Sequence, residues 1–389
     1  MEPVYLDYAA TTPVRTEVGE AMLPFFGGTF GNPSSAHRFG RAARAGLEQA
    51  RRQVARAVDA EPAQVCFTSG GTEADNLAVV GAALAARARG AALRVAVSAI
   101  EHKAVLGAAH MVHHLGGAEE VLPVGASGVV NLEAVDDALA RRPAVLSVMW
   151  VNNETGVIQP VADIGRRCRE AGVLFHTDGV QALGNLPIRF SELPCDLLTL
   201  SGHKIGGPKG SGALIVRDRR AIEPLIQGGS QQGGLRPGTE NIAGAVGFGR
   251  AAELAAAEQP EHACRLAGLR ERLRERLVAA VPDVVVVAGD SERASHVLNL
   301  CVPGADSEAL LMHLDLAGVS ASSGSACNTG AVEPSHVLVA MGIPRALAVG
   351  ALRFSLGRET TADELDRVAE VFPRVVTKVR SLAGVLARA

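Results

Sequence analysis

The chain has 389 residues, an apolar fraction of 48% and a formal net charge of −3 at pH 7. Its length exceeds the roughly 250 to 300 residues at which one hydrophobic core stops growing, which predicts two domains. The charge gives no general attraction to nucleic acid or anionic membranes, and no apolar run reaches the roughly 18 residues of a membrane-spanning helix. Six cysteines without a Cys-x-x-Cys pair support neither a disulfide framework nor a zinc site. Because no signal sequence opens the chain, we expect a cytoplasmic protein.

Strands and helices alternate through the first two thirds of the chain. A strand at residues 4–6 precedes a helix that ends near Phe26, and Ser35 is a candidate cap for a long helix that ends near Val58. From residue 65 the pattern is typical of a parallel α/β sheet. The predicted strands are 65–68, 94–97, 120–123, 144–151, 173–175, 197–200 and 212–216, and the helices between them are 72–87, 102–115, 132–140 and 161–171.

A smaller α+β domain is predicted after Gln259 and Pro260, which should end a helix over 241–257. An amphipathic helix over 261–281 follows, and the later elements are strands at 284–287, 297–301 and 352–355, a helix over 307–316 and a last helix capped by Thr361. We therefore expect an α/β large domain over 15–257 with a mostly parallel seven-stranded sheet. The small domain would contain 1–14 and 258–389 and carry a mobile cysteine loop at about 320–332.

The loop after the strand at 197–200 carries the first candidate reactive group. It contains Lys204 and a second lysine, two of only four in a chain rich in arginine. Desolvation or a nearby cation can lower the pKa of an amine toward about 7 to 8, where it acts as nucleophile or base. Ser201, His203 and several glycines offer donors for a phosphate near the same lysine. A glycine-rich hairpin with a solvated lysine is the alternative interpretation.

Asp178 lies at the carboxyl end of the preceding predicted strand, 26 residues before Lys204. The carboxyl ends of neighbouring parallel strands face the same crevice, so the two side chains are expected to meet there. A buried carboxylate requires a cation, and a pyridinium nitrogen is one. Proteins hold pyridoxal phosphate by pairing a Schiff-base lysine with an aspartate on the ring nitrogen. These two residues therefore indicate a pyridoxal phosphate site.

Three further strand ends carry polar groups. Gly71 and Thr72 begin a helix whose N–H groups could hold a phosphate, although a plain helix start explains them equally well. His102 could stack on a flat ring and move protons, whereas most lone histidines are surface residues. Asn152 and Asn153 could bind a carboxylate or a ring oxygen, but Asn-rich turns also occur for conformational reasons.

Two residues of the predicted small domain are also candidates. Cys327 lies in a run over 320–330 without a large apolar side chain, unlike Cys66 and Cys301, whose neighbours are apolar. A thiol in a polar loop is prone to oxidation, which favours a chemical use, and it needs a local base or cation to become a thiolate at pH 7. Arg353 interrupts an apolar strand, where it would bind either a carboxylate ligand or a structural salt-bridge partner.

The order of these motifs resembles the cysteine desulfurases of the NifS/IscS type, among the class-V aminotransferase-like enzymes, over nearly the whole chain. The motifs are Tyr5-Leu6-Asp7-Tyr8-Ala9-Ala10-Thr11-Thr12, Phe30-Gly31-Asn32-Pro33-Ser34-Ser35, Phe67-Thr68-Ser69-Gly70-Gly71-Thr72-Glu73, Glu101-His102-Lys103, Val151-Asn152-Asn153-Glu154, Ser201-Gly202-His203-Lys204, Arg236-Pro237-Gly238-Thr239-Glu240-Asn241 and Ser322-Ser323-Gly324-Ser325-Ala326-Cys327. The resemblance implies pyridoxal-phosphate fold type I and a homodimer. It also implies conversion of L-cysteine to L-alanine, with the sulfur left as a persulfide and passed to an acceptor protein for iron–sulfur cluster assembly or another thiolation.

The resemblance also implies roles for individual residues. Lys204 matches the Schiff-base lysine, Cys327 the persulfide cysteine, and His102 the residue that stacks on the ring and could move the thiol proton. The other matches concern binding, and they are Asp178 with the ring nitrogen, Gln181 with the ring hydroxyl, Thr72, Ser201 and His203 with the phosphate, Thr239 of the second subunit with the same phosphate, and Asn32, Asn153 and Arg353 with the substrate carboxylate.

Two alternatives stay open. A selenocysteine lyase or an aminotransferase would use the same scaffold. A cofactor-free sulfur-carrier or assembly subunit would keep the fold for binding a partner, although the presence of Lys204 and Asp178 argues against it. The chain ends soon after its last predicted helix, where longer members carry a tail that contacts an iron–sulfur scaffold protein, so the resemblance leaves the sulfur acceptor open.

Overall fold

Seven strands form the central sheet of the computed structural model, which describes residues 3–323 and 333–386. The strands of the chain are β1 (Val4–Tyr5), β2 (Val65–Thr68), β3 (Arg94–Ser98), β4 (Ala118–Leu122), β5 (Val145–Ser147), β6 (Leu174–Asp178), β7 (Leu197–Ser201), β8 (Gly212–Val216), β9 (Val285–Val286), β10 (Val297–Cys301), β11 (Val319–Ser320) and β12 (Ala351–Ser355). The order in the central sheet is β2-β8-β7-β6-β5-β3-β4. Only β8 runs antiparallel to its neighbours, so the predicted mostly parallel seven-stranded sheet is confirmed.

Helices cover both faces of this sheet. The helices of the described chain are α1 (Thr16–Met22), α2 (Arg38–Ala57), α3 (Gly71–Ala88), α4 (Lys103–His114), α5 (Leu132–Ala140), α6 (Val161–Ala171), α7 (Ile242–Ala280), α8 (Ser307–Leu316), α9 (His336–Ala340), α10 (Arg345–Ala348) and α11 (Ala362–Leu386). β7 and β8 are buried at every residue, as expected for strands covered on both sides. One apolar cluster joins α3 and α4 to the sheet, and another joins α2, α6 and the first half of α7 to it.

A separate hydrophobic core lies outside the central sheet. It contains apolar residues of β1, the second half of α7, β10, α8, β12 and α11. β12, β10 and β9 form an antiparallel sheet in that order, and β1 pairs with β11. Helices and antiparallel strands therefore share this second core, as in the predicted α+β unit. The domain boundaries drawn from the sequence, 1–14 with 258–389 and 15–257, stay a prediction.

Two predicted features of the helices are wrong. α7 continues without interruption through Pro260, where the sequence predicted a break. A proline inside a helix costs about 3 kcal/mol, whereas burying one large apolar side chain contributes about 1.5–3 kcal/mol. α7 buries Phe248 in the first core and Leu273 and Leu277 in the second, which offsets that cost. In addition, α2 is capped by the Nδ1 atom of His37, not by Ser35, because the helix begins only at Arg38.

Several predicted elements agree with the structure. The bounds of α5, α6, α8, β8 and β10 are those expected from the sequence. β6 continues as far as Asp178, which lies at the carboxyl end of its strand as predicted. Over residues 3–323 and 333–386, no helix combines the length and the apolar character needed to cross a bilayer.

Candidate active site

A cavity of about 450 Å³ lies at the carboxyl ends of the parallel strands. It brings together most of the residues predicted to form a site, namely Gly71, Thr72, His102, Asn153, Asp178, Gln181, Ser201, His203, Lys204 and Arg353. Asn32 and Thr239 do not line this cavity and are exposed on the surface. Cys327 lies outside the described residues.

Lys204 points its amine at the chain segment that follows β1. The Nζ atom donates hydrogen bonds of 2.7 Å to the carbonyl oxygens of both Ala9 and Ala10. Burial lowers the pKa of Lys204 to about 8, and the positive charge of Arg353 adds to the decrease. The pKa of Lys204 is therefore lowered, as expected from the sequence. At neutral pH part of this amine is uncharged and can act as a nucleophile or base.

Asp178 ends β6 and is 5% exposed. Its Oδ1 atom accepts a hydrogen bond of 2.9 Å from the backbone N–H of Val180. Burial raises the pKa of Asp178, whereas the nearby His102 and Lys204 lower it. A protonated ring nitrogen in the cavity would supply the further positive charge that a buried carboxylate requires.

The amino-terminal end of α3 and the loop after β7 offer donors for a phosphate. Gly70, the residue before α3, provides no side-chain cap, so the first N–H groups of the helix remain available to an anion. The hydroxyl of Ser201 is buried and has no hydrogen-bond partner among the residues described here. Burial lowers the pKa of His203 to about 4, so it is neutral at pH 7. An orphaned hydroxyl beside a free helix terminus fits the phosphate of pyridoxal phosphate.

His102 is the residue before α4. Its Nδ1 atom accepts a hydrogen bond of 3.1 Å from the N–H of Ala104 and thus caps the helix. The cavity walls partly desolvate the ring and lower the pKa of His102 below its usual value. The ring is therefore neutral at pH 7, and its Nε2 atom remains for proton transfer.

The two asparagines after β5 have different roles. Asn152 is fully buried and its side chain holds the turn, because Oδ1 accepts hydrogen bonds from the backbone N–H groups of Glu154 and Thr155. Asn153 lines the cavity. The conformational interpretation therefore holds for Asn152, and Asn153 stays the candidate for binding.

Arg353 on β12 forms the salt bridge that was one of its two possible roles. Its Nη2 atom lies 2.6 Å from Oδ1 of Asp7, and Nη1 donates to the backbone oxygen of Asn153 at 2.9 Å. The arginine also lines the cavity and is 3% exposed. A guanidinium has five N–H donors, so these two contacts leave capacity for a substrate carboxylate.

Sequence reasoning named Gln181 but missed His296, a buried residue beside the cavity, and several polar residues that line the cavity. Gln181 donates from Nε2 to the oxygen of Ala9 at 2.9 Å, and its Oε1 atom lies 3.0 Å from Nε2 of His296. Burial lowers the pKa of His296 to about 3, so it donates as a neutral ring. The other missed residues that line the cavity are Asp7, Asp75, Lys103, Glu154, Ser322 and His336. Asp75 was detectable as a carboxylate in an apolar stretch of a predicted helix, whereas nothing marked His296.

The ends of the segment that contains Cys327 lie at this cavity. Ser322 lines the cavity and pairs with Arg353 through two backbone hydrogen bonds of 3.1 and 2.6 Å. His336 lines it from the other end, and its Nε2 atom lies 3.0 Å from the backbone oxygen of Glu101. Cys327 is five residues from Ser322, and five residues span at most roughly 17 Å.

Metal binding has no support in the part of the chain that the structure describes. Within residues 3–323 and 333–386, no group of three or more His, Cys, Asp and Glu side chains is arranged to hold a metal ion. The cavity instead combines a weakly basic lysine, a buried carboxylate and donors for an anion. That combination fits an aldehyde cofactor with a phosphate and a basic ring nitrogen.

Comparison with known proteins identifies relatives with the same organisation. The family model described as aminotransferase class-V matches residues 4–368. The chain is 43% identical over 380 residues to cysteine desulfurase IscS of Dictyoglomus turgidum, with 98% of this chain and 96% of that protein covered. It is 46% identical over 385 residues to a cysteine desulfurase of Cereibacter sphaeroides, with 98% of each chain covered.

Solved structures agree with the fold. A NifS-like protein has a TM-score of 0.89 at 33% identity, with 97% of this chain and 100% of that chain covered. DndA from Streptomyces lividans has a TM-score of 0.76 at 38% identity, with 90% and 99% covered. Pyridoxal-phosphate fold type I, expected from the resemblance, is thus confirmed. The chain therefore belongs to the class-V aminotransferase family and, within it, to the cysteine desulfurases.

Proposed function

We propose that this cavity holds pyridoxal phosphate through Lys204 and converts L-cysteine to L-alanine, with transfer of the sulfur to Cys327. The observation that carries the proposal is an amine with a pKa of about 8 in the same cavity as the buried carboxyl of Asp178. Dependence on pyridoxal phosphate is a property of the family to which the chain belongs. Thr72, Ser201 and His203 would hold the phosphate.

Each side chain of the cavity has a specific task in this proposal. When bound, the cofactor supplies a sink for the electron pair left by loss of the substrate Cα proton. Lys204 Nζ takes that proton as the base, since its lowered pKa keeps part of the amine neutral at pH 7. Asp178 holds the proton on the ring nitrogen, and His102 lies against the ring. Arg353 and Asn153 bind the substrate carboxylate, with Gln181 placed for the ring hydroxyl.

The sulfur step uses the thiolate of Cys327. It attacks the substrate sulfur, so that an S–S bond forms while the bond between Cβ and sulfur breaks and its electrons stay with carbon. The carbon fragment takes up two protons, one at Cβ, which balances the proton lost by the Cys327 thiol, and one at Cα, returned by Lys204, and leaves as alanine. One cysteine and one thiol thus give one alanine and one persulfide, and no external oxidant or reductant is required. His102 is the candidate for moving the thiol proton. Because its Nδ1 accepts from the N–H of Ala104, the neutral ring carries its own proton on Nε2, so Nε2 is a donor and the ring takes up the thiol proton at Nδ1 when that hydrogen bond opens.

Two variants test the proposal. Lys204→Ala should lose the near-visible absorption band of the protein reconstituted with pyridoxal phosphate, since the covalent link to the chain is gone. Cys327→Ala should keep that band but stop persulfide formation and sulfur transfer. Cys264→Ala, at an exposed cysteine outside the cavity, is the matched control and should retain both. A Lys204→Ala protein with an unchanged band, or a Cys327→Ala protein with unchanged turnover, would disprove the assignment.

The alternative activities differ in their products. A cysteine desulfurase gives equal amounts of alanine and persulfide or sulfide from L-cysteine, whereas an aminotransferase gives a 2-oxoacid. Turnover with L-selenocysteine but not with L-cysteine would favour a selenocysteine lyase. A chain that binds no pyridoxal phosphate would instead fit a sulfur-carrier or assembly subunit.

The protein is also proposed to act as a homodimer in which Thr239 completes the phosphate site of the other subunit. Thr239 is exposed and absent from the cavity of its own chain, and Phe30 and Phe39 form an exposed aromatic pair with ring centroids 5.6 Å apart. Asn32, two residues from Phe30, lies on the same exposed segment. Mixed dimers of Lys204→Ala and Thr239→Asp chains should regain activity, because one site then has both intact residues. Absence of rescue, or a monomer by light scattering, would contradict this arrangement.

The sulfur acceptor is proposed to be a protein of iron–sulfur cluster assembly or of another thiolation pathway, and the location to be the cytoplasm. A persulfide needs a partner thiol or cluster scaffold to leave the enzyme, and the relatives named IscS support such a partner. Pull-down of partners from the host, followed by transfer of ³⁵S from the loaded enzyme, identifies the acceptor. Cell fractionation tests the location.

A further inference from the structure

A second buried carboxyl lies beside Asp178. Asp75 is 1% exposed, lines the same cavity, and follows Gly71 by one turn of α3. His176 and Asp178 are two residues apart on β6 and share one face of the sheet. Thr199 on β7 is the direct neighbour of Asp178 in the sheet register. The helix therefore places Asp75 over the sheet face that carries these three side chains.

Asp75 is connected to a chain of buried polar groups. Ser147 Oγ lies 2.8 Å from His176 Nδ1, and His176 Nε2 lies 3.0 Å from Thr199 Oγ1. The Thr199 hydroxyl in turn hydrogen-bonds Asp75. The Oδ1 atom of Asp75 is buried, lies 3.7 Å from His176 Nε2, and has no hydrogen-bond partner within residues 3–323 and 333–386. A buried charged oxygen without a partner is costly, and a proton on the carboxyl removes that charge.

The groups around the two carboxyls decide which of them carries the charge. The protonated form of His102 lowers the pKa of Asp178, and so does Lys204, whose amine is charged in most molecules at pH 7. Burial raises the pKa of Asp75 well above its usual range, and the acidic Asp178 and Glu101 add to the increase, whereas the hydrogen bond with Thr199 opposes it. His176, its other ionisable neighbour, stays neutral because burial lowers its pKa to about 3. A proton is thus held more firmly by Asp75 than by Asp178.

We propose that Asp75 is a positioning residue that keeps its proton and hydrogen-bonds Thr199, so that the negative charge beneath the cofactor ring is held by Asp178 alone. The inference rests on the proposed function, because it concerns the same site. Two charged carboxyls beneath one ring nitrogen would leave one of them without a cation. A neutral Asp75 avoids this unpaired charge. Its hydrogen bond also holds Thr199, the neighbour of Asp178 on β7, in place.

Infrared spectroscopy of the holoenzyme tests the protonation directly. The difference between wild type and Asp75→Asn should show the carbonyl stretch of a protonated carboxylic acid, with a shift in D₂O. The control difference between wild type and Asp163→Asn, a partly exposed carboxylate of α6 that is paired with arginines, should not show it. A carboxylate band in its place would overturn the proposal. The carbonyl band arises from the protein and not from the cofactor. A chain that bound no pyridoxal phosphate would disprove the proposed function, but its infrared spectrum would still show whether Asp75 is protonated.

Two further variants test the positioning role. Asp75→Asn keeps a neutral hydrogen-bonding group, so the midpoint of the pH titration of the cofactor absorbance should stay within about 0.3 units of wild type. If Asp75 were charged in the wild type, its replacement by Asn would remove a buried charge and move the midpoint by about one pH unit or more. Such a shift would overturn the proposal. Asp75→Leu loses the hydrogen bond and should bind pyridoxal phosphate about tenfold more weakly. Wild-type affinity in Asp75→Leu would also overturn it, and if that variant does not fold, the Asp75→Asn results decide.

Discussion

The lowered pKa of Lys204 predicts how fast pyridoxal phosphate attaches to the protein. With a pKa of about 8, about 9% of this amine is neutral at pH 7. A lysine with the usual pKa of about 10.4 is about 0.04% neutral at the same pH, so the buried amine has an advantage of roughly 200-fold in its reactive form. The rate constant of covalent attachment should therefore rise about tenfold from pH 6 to pH 7 and level off above pH 8.

The assay is the growth of the cofactor absorption band after mixing apoprotein with pyridoxal phosphate at a series of pH values. Lys378→Arg, which removes an exposed lysine on α11, is the matched control and should give the same profile. Arg353→Gln should move the plateau to higher pH, because the positive charge of Arg353 lowers the pKa of Lys204. A wild-type rate that keeps rising until about pH 10 would refute the reasoning, because the amine would then titrate as in water.

Three other predictions concern activity and stability. Asp178→Asn should retain the covalent link to the cofactor but lower kcat about 10²-fold or more, measured as alanine formed, because the carboxylate no longer holds the ring-nitrogen proton; activity within tenfold of wild type would contradict its role. Gly165→Ala on α6 should destabilise the protein, because the new methyl group would overlap the carbonyl of Pro194. In the control Gly268→Ala on α7 the methyl group meets open space, so this variant should be neutral or stabilising by up to about 1 kcal/mol. Thermal melts that rank the two variants in the opposite order would contradict the packing. Phe354→Ala should cost about 3–5 kcal/mol in urea unfolding, because the ring is fully buried in the second core, and a loss under about 1 kcal/mol would show that the site is not packed as described.

The sequence was most informative where one local signal determined the structure. The apolar runs at 197–200 and 212–216 had no competing interpretation, and both are buried strands of the central sheet. Lys204 and Asp178 were recognisable because each follows or ends such a strand, and parallel strand ends meet at one edge. The residue types and their positions at strand ends led to the same prediction for Lys204 and Asp178, and the cavity contains both side chains.

The sequence was least informative where distant parts of the chain determine the result. Pro260 predicts a helix end by local rules, but the packing of α7 on two cores overrides them. The salt bridge between Arg353 and Asp7 joins residues at opposite ends of the chain, and no spacing rule connects them. His296 is connected to the candidate site by its contact with Gln181, 115 positions earlier. Such contacts follow from the folded geometry and have no signature in the local sequence.

The continuity of α7 has a mechanical consequence. Its 39 residues extend over about 58 Å, and Pro260 lies near the middle, where one backbone hydrogen bond of the helix is lacking. A helix bends most easily at such a point, and a change of about 5° there displaces the far end by about 2–3 Å. The far half packs on β10, which pairs with the strand of Arg353. Bending of α7 at Pro260 would therefore displace β12, and with it the guanidinium of Arg353, relative to Lys204.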